Sequence, residues 1–340
     1  MTKGPVHVSV FGKTDLGRSR DHNEDTFLVA DLSTGKSSLQ PDVREHELGP
    51  RGSLFMVADG MGGAAAGEIA SAMAADIICR HLIDTWRTDP DNSAERFAFR
   101  MKEAVELANG ELYTYAREHP EVRGMGTTVT AAGIYGTDLY VTQIGDSRAY
   151  LIRDGRTSQL TRDQSLTQRL VDAGELTEEE AEHSERRNII LQALGPDANV
   201  KVDLSHQSLR KGDVLVICSD GLSGLVKRDE IGEMVGRHED LATLCSALID
   251  LANARGGPDN ITVVAARFGG DGLGESNGDT DVGYRTFPSE ADEVDQVDTP
   301  MPEPIVPGVV APTGSGIRPA TLVMLAGGLV LLAALLLFLL

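Results

Sequence analysis

Ser53-Leu54-Phe55-Met56-Val57-Ala58-Asp59-Gly60-Met61-Gly62-Gly63 is a short apolar run that ends in a carboxylate and then breaks into glycines. The run from Leu54 to Ala58 has the length of a strand buried on both faces. Asp59 stands where that strand leaves the core. Gly60, Gly62 and Gly63 allow a sharp turn and a close backbone approach to a ligand. A helical pattern follows at once, with Glu68, Ala72 and Ala75 among its good helix formers. A single Asp-Gly pair after a strand is an ordinary turn; this one gains weight because the chain repeats the device.

Two more apolar strands end in the same way. Val141 to Gly145 runs into Asp146, and Val214 to Ser219 runs into Asp220-Gly221. Asp259 precedes the last strand and Glu24-Asp25 precedes the second. Carboxylates at the mouths of several buried strands converge, and unpaired they are electrostatically costly. Divalent cations resolve that cost, and oxygen-only ligands favour magnesium, manganese or calcium over zinc or copper. No histidine or cysteine has matching ligand spacing. Cys79, Cys218 and Cys245 lie in apolar runs and read as buried thiols, not as a disulfide or zinc site.

Outward from these acids, strand and helix patterns come in blocks. Strands are expected at Val6–Phe11, Thr26–Ala30 and Leu54–Ala58, followed by helices over about Ala64–Trp86 and from an N-cap at Ser93 to Pro120. A strand block covers Thr127–Ile134, Leu139–Ile144 and Ala149–Arg153, with hairpin turns at Gly136-Thr137-Asp138 and Arg153-Asp154-Gly155. Short polar helices fit Gln164–Ala173 and Thr177–Ser184, the latter with Thr177 and Glu180 at capping-box spacing. Strands return at Val200–Gln207 and Val214–Cys218. Helices at Lys227–Val235 and Asp240–Ala254 precede a last strand, Ile261–Phe268. Tight turns between consecutive strands and paired helices argue for an α+β fold of antiparallel sheets covered by helices, not a doubly wound parallel sheet.

The 340 residues carry a net charge of −21, from 52 acidic and 31 basic side chains. Such a surface repels nucleic acid, which excludes that partner class, but admits a phosphorylated substrate where metals or arginines invert the field. Residues 1–268 hold the strand and helix patterns. Residues 269–318 are acidic and proline-rich, and read as a disordered spacer of roughly 40 Å root-mean-square span. Within 319–340, Thr321–Leu340 is an uncharged apolar run whose length matches a bilayer core of about 30 Å. With no N-terminal signal pattern and Arg318 just before the run, it reads as a C-terminal transmembrane anchor with the domain on the cytoplasmic side.

Six motifs occur in order: Arg20-Asp21-His22-Asn23-Glu24-Asp25, Asp59-Gly60-Met61-Gly62-Gly63, Gly124-Met125-Gly126-Thr127-Thr128, Gly145-Asp146-Ser147-Arg148, Ser219-Asp220-Gly221 and Asp259-Asn260. Over residues 6–268 the chain thereby resembles the metal-dependent type 2C family of serine/threonine protein phosphatases, in its bacterial branch. The resemblance implies a four-layer α-β-β-α sandwich of two antiparallel sheets flanked by helix pairs. It implies two tightly bound manganese or magnesium ions and a third, weaker one. Asp59 would bridge the tight pair, the Gly60 carbonyl would bind one of them, and Asp220 and Asp259 would complete the direct ligands. Glu24 and Asp25 would hold coordinated waters, Asp146 would serve the third ion together with Asp220, and Arg20, with Arg18 as the alternative, would bind phosphate. Phosphoserine and phosphothreonine would then be hydrolysed by a metal-activated hydroxide without a covalent phosphoenzyme, opposing a bacterial serine/threonine kinase at the membrane. Asp163–Arg187 fits the family's flap beside the cleft, or else a fixed helix pair. Met61 stands where many eukaryotic members have a histidine proposed as general acid, so no general acid is assigned. Two other readings remain: an inactive phosphoprotein-binding scaffold and a phosphatase of a small phosphorylated metabolite.

Overall fold

Alternation along the opening strand builds the molecule's layers. The computed structural model describes residues 4–38, 44–62, 66–278 and 281–288. Leu54, Met56 and Ala58 face a helix-side core, while Phe55 and Val57 face the opposite way into a core between two sheets. The strand is therefore buried on both faces, each large apolar side chain contributing roughly 1.5–3 kcal/mol.

In chain order the strands are β1 (His7–Asp15), β2 (Asp25–Asp31), β3 (Lys36–Ser38), β4 (Arg44–Glu47) and β5 (Ser53–Met61). Then come helices α1 (Ala66–His81) and α2 (Ala94–Glu118). Strands β6 (Gly126–Thr127), β7 (Val129–Tyr135), β8 (Asp138–Ile144), β9 (Arg148–Arg153) and β10 (Arg156–Gln159) form the next block. After it lie α3 (Leu166–Asp172), α4 (Glu178–Glu182), β11 (Asp203–Ser208), β12 (Val214–Cys218), α5 (Asp220–Ser223), α6 (Arg228–Arg237), α7 (Leu241–Ala254) and β13 (Ile261–Gly269).

One antiparallel sheet runs β10-β9-β12-β13-β1-β4, and the other runs β11-β8-β7-β5-β2-β3 with β6 joined to β5. Phe27, Phe55, Leu215, Ile217, Val264 and Phe268 fill the space between them. Helices α1 and α2 cover one outer face through Ile78, Phe97, Met101 and Leu112. Helices α6 and α7 cover the other through Ile231, Leu244 and Leu248. The α-β-β-α order of layers follows from these three cores.

Local signals were sound where they were strong. Ser93 caps α2 by accepting from the Arg96 N–H, and Thr177 and Glu180 form a reciprocal capping box on α4. Asp154 (φ 50°) and Gly155 (φ 75°) make the two-residue turn between β9 and β10. The first helix differs from expectation. The α-helix stops at His81, and Leu82–Trp86 forms a wider π turn that buries Trp86 and lets its indole N–H donate to the Arg51 carbonyl.

The chain does not leave the domain at Phe268, which corrects the expected spacer boundary. Leu273 is buried, the Gly272 N–H donates to the Pro5 carbonyl, and Phe287 N–H donates to Leu204 on the free edge of β11. The Phe287 ring packs on Tyr140 and His206. Leu273, Val282 and Phe287 pack on the cores and, with these hydrogen bonds, hold the acidic stretch on the domain. Among the described residues no helix is long and apolar enough to cross a membrane. The expected anchor Thr321–Leu340, and the spacer beyond Pro288, lie outside the described residues.

Candidate active site

The strands deliver the acids to one end of the sandwich. In the β2–β5 pair, Asp25 lies directly opposite Asp59, so two like charges share one face at neighbouring positions, an arrangement that is destabilising unless it is compensated. Asp59 is not at the end of its strand, as its sequence suggested. β5 continues to Met61 because Gly60 and Met61 pair with Thr127 and Gly126 of β6. The Asp59 carbonyl accepts from Thr128 N–H and the Thr127 hydroxyl, and its N–H donates to Thr128 Oγ1.

Gly60 has a different reason from a ligand's approach. A Cβ there would overlap the carbonyl oxygens of Gly67 and Glu24, so β5 and the first turn of α1 meet backbone to backbone. The Gly60 N–H donates to the Glu24 carbonyl at 3.1 Å, and Glu24 N–H donates to Asn260 Oδ1 at 2.8 Å. The Glu24 carboxylate lies over Gly67, where an added Cβ would stand 2.9 Å from Oε2.

Asp220 is the first residue of α5, directly after β12. Asp146 follows Gly145, whose φ of 97° and contact with Thr128 exclude a side chain. Asp259 Oδ2 accepts from Arg20 Nη2 at 2.8 Å, and its Oδ1 accepts from Asn260 N–H. The Arg20 side chain is 49% exposed at the mouth of the cluster. His22 and Arg18 are exposed too, and the Arg18 backbone N–H is held by the Gly257 carbonyl.

These acids feel one another. Burial pushes Asp25 up to about 7, with Asp220 and Asp259 adding to the rise and the Thr262 and Ser219 hydroxyls opposing it. Burial, then the charge of Asp220, pushes Asp146 up to about 8. Asp59 stands well above the usual carboxylate range through loss of solvent and the charges of Asp25, Asp220, Asp146 and Asp259. Asp220 is raised by burial and Asp259, partly offset by a hydrogen bond with Asp59. Glu24 is raised by burial and lowered by Arg20.

The donor set fits divalent cations. Asp25 Oδ1 and Asp146 Oδ1 are buried without a hydrogen-bond partner, and the residues themselves are only 7% and 6% exposed. All the candidate side-chain donors are carboxylate oxygens, the choice of hard ions. Among the described residues no three Asp, Glu, His or Cys side chains close around one point by themselves. Asp259 is near enough to Asp59 and Asp220 to raise both, and it also accepts from Arg20.

Several supporting residues escaped sequence reasoning. Ser219 is fully buried, donates its hydroxyl to Asp25 Oδ2 at 2.8 Å and accepts from Thr262 N–H. Asn260 ties the 16–24 loop to the cluster by donating to the Leu16 and His22 carbonyls. Thr128 Oγ1 links Asp59 N–H to the Ser147 hydroxyl. Each sits inside a motif already singled out, beside the acid that drew attention. From Asp163 the expected flap segment starts at a forked ion pair with Arg148, 2.7 Å at its shortest, and returns through Leu191 N–H to the Gln164 carbonyl.

A family model described as Protein phosphatase 2C matches residues 36–261. The serine/threonine phosphatase stp of Listeria monocytogenes is 36% identical over 253 residues, covering 74% of this chain and 92% of that protein. The crystal structure of the Mycobacterium tuberculosis serine/threonine phosphatase PstP/Ppp aligns with a TM-score of 0.64 at 34% identity, covering 77% of this chain and 98% of that one. A structure of the PstP catalytic domain in complex with two manganese ions aligns at 0.63, also at 34% identity, covering 78% of this chain and 99% of that one. The chain belongs to the protein phosphatase 2C family of serine/threonine protein phosphatases.

Proposed function

We propose that the protein hydrolyses phosphoserine and phosphothreonine in phosphorylated proteins, with manganese or magnesium held at the carboxylate cluster. The observation that carries this reading is the pair of buried, unpartnered oxygens on Asp25 and Asp146 within a set of acids that raise one another's pKa. Asp59, the Gly60 carbonyl, Asp220 and Asp259 would hold two tight ions, Glu24 and Asp25 would act through water, and Asp146 would serve a third, weaker ion. When bound, such ions neutralise the acids and supply an activated water for in-line attack on phosphorus.

The chain's own residues do the rest. Arg20 stands at the mouth with one N–H on Asp259 and further donors available, so its planar fork can take two phosphoryl oxygens. Ser219 and Thr128 fix Asp25 and Asp59 in place. Met61 donates no proton, so the leaving serine or threonine oxygen takes its proton from another source, in the simplest case water. Cys79, Cys218 and Cys245 are buried with thiols pushed up to about 11–12, which fits no nucleophilic role.

Substrate class is tested by comparing phosphothreonine and phosphoserine peptides with small phosphorylated metabolites under the same manganese supply. Preferred turnover of the peptides supports the reading, and preferred turnover of a metabolite overturns it. The uncharged run Thr321–Leu340 supports a wider reading, in which the domain works at the cytoplasmic face of the cell membrane against a serine/threonine kinase.

A further inference from the structure

Gln143 lies in β8, three residues before Asp146, and is 1% exposed. Its amide makes three hydrogen bonds. Nε2 donates to the carbonyl of Gly145 at 3.2 Å and to that of Ser147 at 3.1 Å, and Oε1 accepts from Arg162 N–H at 3.0 Å. Those two carbonyls enclose Asp146 and Ser147, so one buried amide bridges the turn that carries Asp146. The same carbonyls take second bonds, Gly145 from Gln164 N–H and Ser147 from the Thr130 hydroxyl. Gly145 N–H donates to Gln164 Oε1. The backbone of Asp146 is thus held from both sides, with its Oδ1 left buried and unpartnered.

We infer that Gln143 is a positioning residue for a divalent cation at Asp146: it fixes the direction of that carboxylate and lashes the turn to the Arg162 backbone, next to the start of the Asp163–Arg187 segment. The inference rests on the reading of Asp146 as a ligand of the third, weaker ion. A weak ion with few protein ligands lacks the binding energy to reorganise a loop, so its affinity depends on the loop being set beforehand.

The test is calorimetric titration of manganese alone into the full-length protein and its variants. Gln143→Met keeps length and volume but removes the amide. The weakest binding step should lose roughly tenfold in affinity, as removal of an outer-sphere partner commonly costs, while the tight steps stay unchanged. A merely structural role would lower the melting temperature and leave the weak step alone. If Gln143→Met keeps the weak step and Asp146→Asn loses it, the positioning role is rejected and the Asp146 reading stands. If Asp146→Asn also keeps it, the Asp146 reading falls and this inference with it. Should Gln143→Met fail to fold, Gln143→Asn, whose amide is one methylene shorter and cannot span both carbonyls, replaces it. It must show the same selective loss, and wild-type binding there rejects the role.

Discussion

Asp146 is where a turn and a cation site separate most cleanly. As a plain turn residue it would tolerate Asp146→Asn, which keeps an oxygen and most hydrogen bonds. As a cation ligand it would not, because the charge is what holds a weakly bound ion. The variant is expected to stay folded while its phosphopeptide turnover falls at least about tenfold, some 1.4 kcal/mol of transition-state stabilisation. Steady-state kinetics beside a melting curve checks both halves. The acids themselves were legible in the sequence, since an apolar run ending in Asp-Gly shows without any knowledge of the partner strand. Their supports were not. Ser219 meets Asp25 across 194 residues and Asn260 meets Glu24 across 236, and such long-range contacts leave no local periodicity.

Glycine teaches the same lesson for whole elements. Gly60 was read as a place of close approach to a ligand; the structure shows that the start of α1 and the Glu24 backbone come close to it, which only the packing of α1 on β5 reveals. Gly60→Ala must move backbone on two sides and is expected to destabilise by roughly 1–3 kcal/mol. Gly110 sits exposed in the middle of α2 with open space around a Cβ, so Gly110→Ala is expected to stabilise by about 0.8–1 kcal/mol. Urea unfolding midpoints of the two variants should therefore move in opposite directions. The extension of β5 past Asp59 has a similar origin, because two-residue β6 has too little sequence to announce itself.

The strand-end acids also set a pH dependence. In the cation-free protein burial pushes Asp25 up to about 7 and Asp146 up to about 8, from an ordinary carboxylate value of 3.8. Between about pH 4 and 8 the folded chain therefore holds protons that the unfolded chain has released, and the stability these groups contribute falls as pH rises through that window. A bound cation takes the place of those protons. The melting-temperature gap between manganese-loaded and EDTA-treated protein is expected to widen from pH 5 to pH 8, and a gap that narrows would contradict the assignment.

For the whole molecule, three cores separated by two sheets were within reach of the sequence once the six motifs were in order, because the two-faced burial of Leu54–Ala58 was readable and the resemblance supplied the stacking. The boundary at Phe268 was not, since composition suggested an acidic spacer while a few apolar side chains and backbone hydrogen bonds hold residues 270–278 and 281–288 on the domain. If Thr321–Leu340 is an anchor, its deletion moves the protein from the membrane to the soluble fraction and leaves peptide turnover unchanged. Retention on membranes after deletion would refute that role. On this reading, phosphoprotein hydrolysis depends on cations held by the clustered carboxylates. Turnover of a phosphothreonine peptide by the 340-residue chain, with manganese and then with excess EDTA, measures that dependence. Turnover is expected with manganese, should vanish in EDTA and should return when manganese is restored; undiminished turnover in metal-free buffer would refute the dependence.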